Sequence, residues 1–396
     1  MSNRFLIICN AYPKDFDEYY IKLSDCDTTS SSVIYSNSII NGMKLNGFYY
    51  DAISAASVGH YPFTSKTKKL VDQDYDDHFF GVGYRNFVVT SQFDKAKSIF
   101  KKFRTLNYSK EDAINIVVTD VHTPFLKAAL KIKKHYKNSR IVLICLDLPQ
   151  FVYSSSKNVV LKLMKKVSVK QVTRLSHKVD GYVFLSEYMS EQFGDNNKPR
   201  IVIPAILDTT IYDSSVRTKK DFISFVYCGV LSKQYNIDYL LDSFSLLKNS
   251  KYKLVLAGKG DMVDEIKAYS IKDPRIVYLG ELPREEAYKL QYNADVLVNP
   301  RLPTSEYTKL SFPSKTVSYL FSGNPLVCFA LPSFPNKIKE VVISPSDVTK
   351  ESFARAMEKA LSRHNKKQID VAETYSEKRV VNAIDKLFSE IRTNGK

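Results

Sequence analysis

The chain has 396 residues, 44% of them hydrophobic, and a formal net charge of +16. That size and hydrophobic content suit a folded protein of about two ordinary domains and exclude an intrinsically disordered chain. The opening apolar run, Phe5 to Cys9, is too short for a signal-peptide core, and no later run approaches the ~20 apolar residues of a membrane span, so the sequence predicts a cytoplasmic protein.

In chain order, short apolar runs alternate with longer helical patterns. RFLIICNA, FYYDAISAAS, INIVVTDV, RIVLICLD, DGYVFLS and PRIVIPA are predicted strands of the first half, with helices such as Ser30 to Asn46 between them. VDQDYDDHFF carries aspartate pairs that resemble a metal motif, but it is polar, lacks strand context and is expected to be a solvated loop. DTTIYDSSVRTKKD is polar and aperiodic, as a linker is. After it, FISFVYCG, YKLVLAG, RIVYLG, ADVLVNP and PLVCFA are predicted strands, each followed by a helical segment. Continuous apolar strands separated by helices predict parallel sheets covered on both faces, built twice. The expected fold is α/β: two tandem Rossmann-like, doubly wound domains facing across a cleft, with ligands at the strand-to-helix turns. Of the five cysteines, Cys9, Cys145, Cys228 and Cys328 fall in predicted strands; none, Cys26 included, has the paired spacing of a zinc or redox site, so buried thiols are expected.

Charge is concentrated in one region. Residues 101–180 hold 17 Lys or Arg against 5 Asp or Glu. Much of the excess lies in SSKNVVLKLMKKVSVKQVTRLSHKV, where Lys162, Lys166, Lys170, Arg174 and Lys178 recur every four residues along one helix face, with Val160, Leu163, Met164, Val167 and Leu175 towards another. A solvated surface helix, a face that meets anionic lipid, and a nucleic-acid contact all fit this pattern. The 26 Tyr and 23 Phe are scattered at core-like positions and form no stacking ladder, which argues against nucleic acid.

Several turns of the second half suit an anionic ligand. Gly229 follows one predicted strand, and Gly258 and Gly260 follow another, so backbone can approach a ligand closely there. In SFPSK, Ser311 or Ser314 is expected to cap a helix that starts near Pro313 and runs to Phe321, with Arg301 and Lys315 close by. A helix start flanked by cations binds a diphosphate without a metal.

The run FVYCGVLSKQYNIDYLLDSF, YKLVLAGKGD, RIVYLGELPREEAYKLQYNADVLVNPR and SFPSKTVSYLFSGNPLV resembles the nucleotide-binding half of family-4 glycosyltransferases of the GT-B fold, over Phe222 to about Ala330. The likeness is strongest to bacterial enzymes of polysaccharide assembly. In the first half TTSSSVIYSNSIINGMKLNGFYYDAIS is similar to the family's phosphate-side loop and helix, and DGYVFLSEYMSEQF to its last strand and helix. The resemblance implies an acceptor-side domain over 1–207, a linker over 208–221, a nucleotide-sugar domain over 222–365, and closing helices over 366–396 that cross back to the first domain. It implies transfer of a sugar, with retention, from a nucleotide sugar to a lipid-linked or other glycan acceptor at the inner membrane face, with no metal or other cofactor. An inactive partner subunit of the same fold and a basic nucleic-acid-binding protein are the alternatives.

The implied site takes His122, Arg301 and Lys315 as catalytic groups, the last two as counter-charges to the leaving phosphate. Ser31, Ser32, Gly229, Lys233, Gly258, Gly260, Glu281, Leu282, Asn299, Pro313, Ser314 and Ser318 are the implied nucleotide-sugar contacts, and Asp120 and Asp147 the acceptor side, although turn capping suits both aspartates as well. Membrane contact falls to Lys162, Lys166, Lys170 and Arg174. The sequence departs from the family at several points. The family's two glutamates fall on Leu310 and Ser318, its first-loop Arg on Val230, its next Lys near Tyr235, and its paired N-terminal glycines near Ser31 and Ser32.

Overall fold

The computed structural model describes residues 4–25, 31–88, 90–148, 159–193, 197–209, 220–304, 307–363 and 367–394, with backbone alone for 159–165, 192 and 307. Cys26, Lys157, the side chains of Lys162, Leu163 and Met164, and most of the expected linker lie outside the described residues. The chain divides into two compact units, Met1–Ile203 with Glu377–Lys396, and Pro204–Ser376.

The first unit is built on strands β1 (Arg4–Cys9), β2 (Tyr49–Ser54), β3 (Gln73–Asp76), β4 (Phe79–Gly81), β5 (Ile114–Val118), β6 (Arg140–Cys145), β7 (Gly181–Phe184) and β8 (Arg200–Val202). They form one sheet in the order β3-β4-β2-β1-β5-β6-β7-β8, parallel except for the β3–β4 pair. The central strands are apolar along their whole length because helices cover both faces; Phe5 to Cys9 and Ile116 to Val118 are fully buried. VDQDYDDHFF is a finding against expectation: it forms the antiparallel β3–β4 hairpin at the sheet edge. Its alternation of half-buried and exposed residues in β3 reads as solvated loop when no partner strand is known.

The closing helix, Glu377–Asn394, lies against the Ser31–Leu45 helix. A side chain at Gly42 would stand 2.6 Å from the Glu377 carbonyl oxygen, so the two backbones meet there. Arg392 donates to the buried Asn115 side chain in the middle of β5, which fixes the far end of the same helix. The Lys367–Glu373 helix does not cross with it: it stays in the second unit, packed on the Lys315–Phe321 helix.

The second unit carries β9 (Ile223–Cys228), β10 (Tyr252–Ala257), β11 (Ile276–Tyr278), β12 (Val296–Asn299) and β13 (Leu326–Cys328), all parallel, in the order β11-β10-β9-β12-β13. In each sheet the strand order reverses beside a central strand, β1 next to β5 and β9 next to β12, which places a topological switch point at their carboxyl ends. Cys9, Cys145, Cys228 and Cys328 are each the last residue of a strand and are buried. No helix among the described residues is long and apolar enough to cross a membrane.

Candidate functional site

At the β9–β12 switch point two cations gather, and among the described residues no carboxylate is within ion-pair distance of Lys315. Lys315, the first residue of its helix, is half-buried and donates from Nζ to the Tyr227 hydroxyl over 2.9 Å, with the ammonium 4.2 Å from the centre of the same ring. Burial holds its pKa down at about 8; the nearby charge of Arg301 acts the same way, while Cys228 opposes it. Arg301, two residues past β12, is 7% exposed, donates to Ser311 Oγ over 3.1 Å and lies 5.5 Å from the Tyr235 ring centre. Tyr319, one turn beyond Lys315, donates to the Cys228 carbonyl and accepts from the Cys228 N–H, so the helix is latched to the end of β9. Lys315 fits because residue 229 is glycine: a Cβ there would stand 1.9 Å from its Nζ.

The glycines expected to admit a ligand also admit each other. Gly258, with φ of 140°, lies so close to the Gly229 carbonyl that any side chain would collide with it, and Gly260 meets the Leu231 carbonyl in the same way. The turns after β9 and β10 therefore stack backbone on backbone.

The SFPSK start differs from expectation. Ser314 occupies the cap position in helical geometry and makes no side-chain cap, while Ser311 accepts from Arg301 instead. The N–H groups of Thr316 and Val317 donate to the Pro313 and Ser314 carbonyls, so these N–H groups are not free to meet a ligand. Pro313 is buried and Ser314 exposed. Ser318 donates to Gln291 and to the Lys315 carbonyl, and Asn299 is buried at the end of β12. Lys233 is exposed on the Lys233–Tyr235 turn, where Tyr235 and not Lys233 meets Arg301. Glu281 is paired with Lys259 at the surface over 2.9 Å, and Leu282 packs on the core. Among the departures from the family pattern, Val230 is 49% exposed and Leu310 is buried.

In the first unit a second polar group stands at the β1–β5 switch point. Ser32, at the start of the Ser31–Leu45 helix, bonds Asn10 Oδ1 at 3.2 Å and Asp120 Oδ2 at 3.3 Å, joining the ends of β1 and β5; Ser31 is exposed. Burial pushes Asp120 up to about 6, and the nearby Asp147 charge adds to that, against the Val121 N–H and Ser32 bonds. Asp147 is exposed just past β6. His122 precedes the Thr123–His135 helix, edge-on to Phe125, and burial, helped by Lys95 and His60, lowers its pKa to about 3. It is a neutral imidazole at ordinary pH.

Lys95 escaped the sequence reading. Its signal was spacing: Ser91, Lys95, Ile99 and Phe103 repeat every four residues on the buried face of the Ser91–Phe103 helix. On the charged helix Lys166, Lys170 and Arg174 are exposed, as is Lys178 just past its end, whereas Val167, expected on another face, is 62% exposed beside them and Val172 faces the core. Among the described residues no three His, Cys, Asp or Glu side chains gather as a metal group.

Residues 223–363 match the family model described as Glycosyl transferases group 1. No curated protein sequence matches the chain. Among solved structures, sucrose-phosphate synthase from Thermosynechococcus elongatus superposes with a TM-score of 0.66 at 11% identity, over 99% of this chain and 100% of that one. The apo lipopolysaccharide outer core galactosyltransferase WaaB superposes at 0.60 and 12% identity over the whole of both chains. The pneumococcal O-GlcNAc transferase GtfA, in complex with UDP and GlcNAc, superposes at 0.58 and 11% identity, over 98% of this chain and 99% of that one. Residues 223–363 thus form a glycosyl transferases group 1 domain, carried in a chain with the fold of the GT-B glycosyltransferases.

Proposed function

We propose that the protein is a nucleotide-sugar-dependent glycosyltransferase that moves a sugar, with retention, to a lipid-linked glycan acceptor in cell-surface polysaccharide assembly. The observation that carries the reading is the pair of cations at the β9–β12 switch point, where Lys315 is half-buried against Gly229 and its Nζ meets the Tyr227 hydroxyl, with no carboxylate beside it among the described residues. Breaking the bond between sugar and diphosphate builds negative charge on the leaving oxygen, and fixed cations that meet that charge lower the barrier. An arriving diphosphate also holds Lys315 protonated, since a neighbouring anion raises a lysine pKa.

In the first unit, neutral His122 offers a hydrogen bond to the sugar, and Asp120 and Asp147 serve the acceptor hydroxyl. The motifs between Phe222 and Ala330 support retention through their resemblance to retaining enzymes. The cationic pair supports catalysis without a metal, and the exposed basic helix supports attachment to the inner membrane face.

Thermal-shift screening of the purified protein against a panel of nucleotide sugars tests the reading. One donor class should raise the unfolding midpoint and support transfer that persists in excess EDTA. No stabilisation by any donor removes the reading; loss of transfer in EDTA, restored by Mg²⁺ or Mn²⁺, removes its metal-free form.

A further inference from the structure

Lys95 is buried at a cost and has no counter-charge among the described residues. It is 4% exposed, and among the described residues no other lysine is buried to this degree. Its Nζ reaches Ser57 Oγ at 3.4 Å and lies 4.6 Å from the centre of the Tyr84 ring. A hydroxyl and a ring face do not repay the dehydration of an ammonium, and burial brings its pKa down to about 8. Ser57 is exposed, so the ammonium lies just beneath the surface beyond the carboxyl end of β2.

Other unsatisfied donors stand around it. His60 is held by its own backbone, which accepts from the Thr64 N–H and donates to Thr64 Oγ1, yet its Nδ1 is buried without a hydrogen-bond partner. Ser91, one turn before Lys95 on the same buried face, also has a buried hydroxyl without a partner. Burial depresses both the His60 and the His122 imidazoles, and the Lys95 charge adds to the effect at each. A lysine ammonium only donates, and a neutral imidazole and a hydroxyl can each donate one hydrogen bond, so together they suit an acceptor that carries negative charge.

We propose that Lys95 and His60 form an oxyanion subsite that takes a phosphate or carboxylate group of the acceptor sugar. The inference rests on the glycosyltransferase reading for the word acceptor, and on the first unit alone for the oxyanion. It narrows the substrate class to glycans with a phosphoryl or uronic acid group near the reacting hydroxyl.

Reductive methylation of the full-length protein, followed by peptide mass spectrometry, tests it at the residue itself. Lys95 should be methylated at least tenfold more slowly in the presence of inorganic phosphate, glucose 6-phosphate or glucuronate than with glucose or sodium chloride at equal ionic strength. Protection by the first two alone assigns phosphate, and by glucuronate alone assigns carboxylate. Equal labelling in all conditions overturns the proposal. Lys95→Met, which keeps the length of the stem, should lose stabilisation by the protecting anion and keep stabilisation by the donor found in the nucleotide-sugar screen; loss of both places Lys95 in the donor site and overturns the proposal. If no nucleotide sugar binds the parent protein while the Lys95 protection persists, the glycosyltransferase reading fails and the oxyanion site stands without it.

Discussion

The carbonyl oxygen of Gly229 fills the space where a side chain on Gly258 would begin, with only 1.9 Å between it and the position of a Cβ. The turns after β9 and β10 can lie this close because both residues lack side chains and both adopt positive φ, 149° and 140°. Gly258→Ala should therefore force the two turns apart and strain the backbone, at a cost of about 1–3 kcal/mol. Urea denaturation checks this: an unchanged midpoint would mean that the turns separate freely. Since Gly229 also makes room for Lys315, the same variant should weaken nucleoside diphosphate binding.

Lys315 has opposite effects on stability and on binding. Its pKa in the folded protein, about 8, lies below that of an ordinary lysine, so between about pH 8 and the usual lysine range the unfolded chain holds more protons than the folded one. Stability should rise with pH across that window in the parent protein and should lose that slope in Lys315→Met. Diphosphate binding should fall by roughly 1.5–3 kcal/mol in the variant, the worth of a hydrogen bond to a charged group. Calorimetric titration of the nucleoside diphosphate measures the second effect, and equal affinity in parent and variant would move the anion elsewhere.

Asp120 sets the expected pH limb of turnover. Burial raises its pKa to about 6, so it is protonated below that value and ionised above it. A base role then predicts a kcat that declines as pH falls through about 6, and Asp120→Asn should abolish the limb along with most of the rate. The same shift lowers stability as pH rises from the ordinary carboxyl range through about 6, because the folded protein holds the proton that the unfolded chain gives up. His122, with a pKa lowered to about 3, has no part in that limb. His122→Ala should lower kcat without moving it, and a limb that shifts with His122→Ala would assign the titration to the imidazole.

The eleven strands read from the sequence are all present; most are buried on both faces, which a continuous apolar run states directly, while the edge strands β8 and β11 are largely half-buried. The β3–β4 hairpin was hidden since an edge pair keeps one face in water and its composition follows that face. At the site, Arg301 and Lys315 were legible as cations after a strand, and the structure adds that Tyr227 and Tyr319 hold the helix that carries Lys315. The tyrosines looked like core residues, which they also are. Ser314 takes the expected cap position but makes no side-chain cap, because capping depends on the backbone geometry of that one residue, which SFPSK leaves open. Lys95 was passed over as one more charge in a basic chain, although its four-residue spacing with Ile99 and Phe103 already placed it on the buried face.

The basic helix Val159–Ser176 is the face proposed to meet the membrane. Following β6 and preceding β7 in a parallel pair, it must run back from the carboxyl edge of the sheet to the amino edge, where Arg140, Lys178 and Lys198 line a groove of about 420 Å³. Lys166, Lys170 and Arg174 are exposed along it, and Val167 is exposed among them at 62%, an apolar side chain that water does not favour and that a lipid headgroup layer does. Each such Lys or Arg near an anionic membrane adds about 1 kcal/mol, screened over about 10 Å at 0.1 M salt. Sedimentation with vesicles should therefore show binding that rises with anionic lipid content and falls as salt is raised. Changing Lys166, Lys170 and Arg174 to Glu should release the protein while donor binding is kept, because the three belong to the first unit and the β9–β12 switch point to the second. Val167→Asp should weaken attachment without altering its salt dependence, which separates the apolar contribution from the charge. Equal sedimentation of parent and triple variant, or equal affinity for neutral and anionic vesicles, would make this face a solvated one.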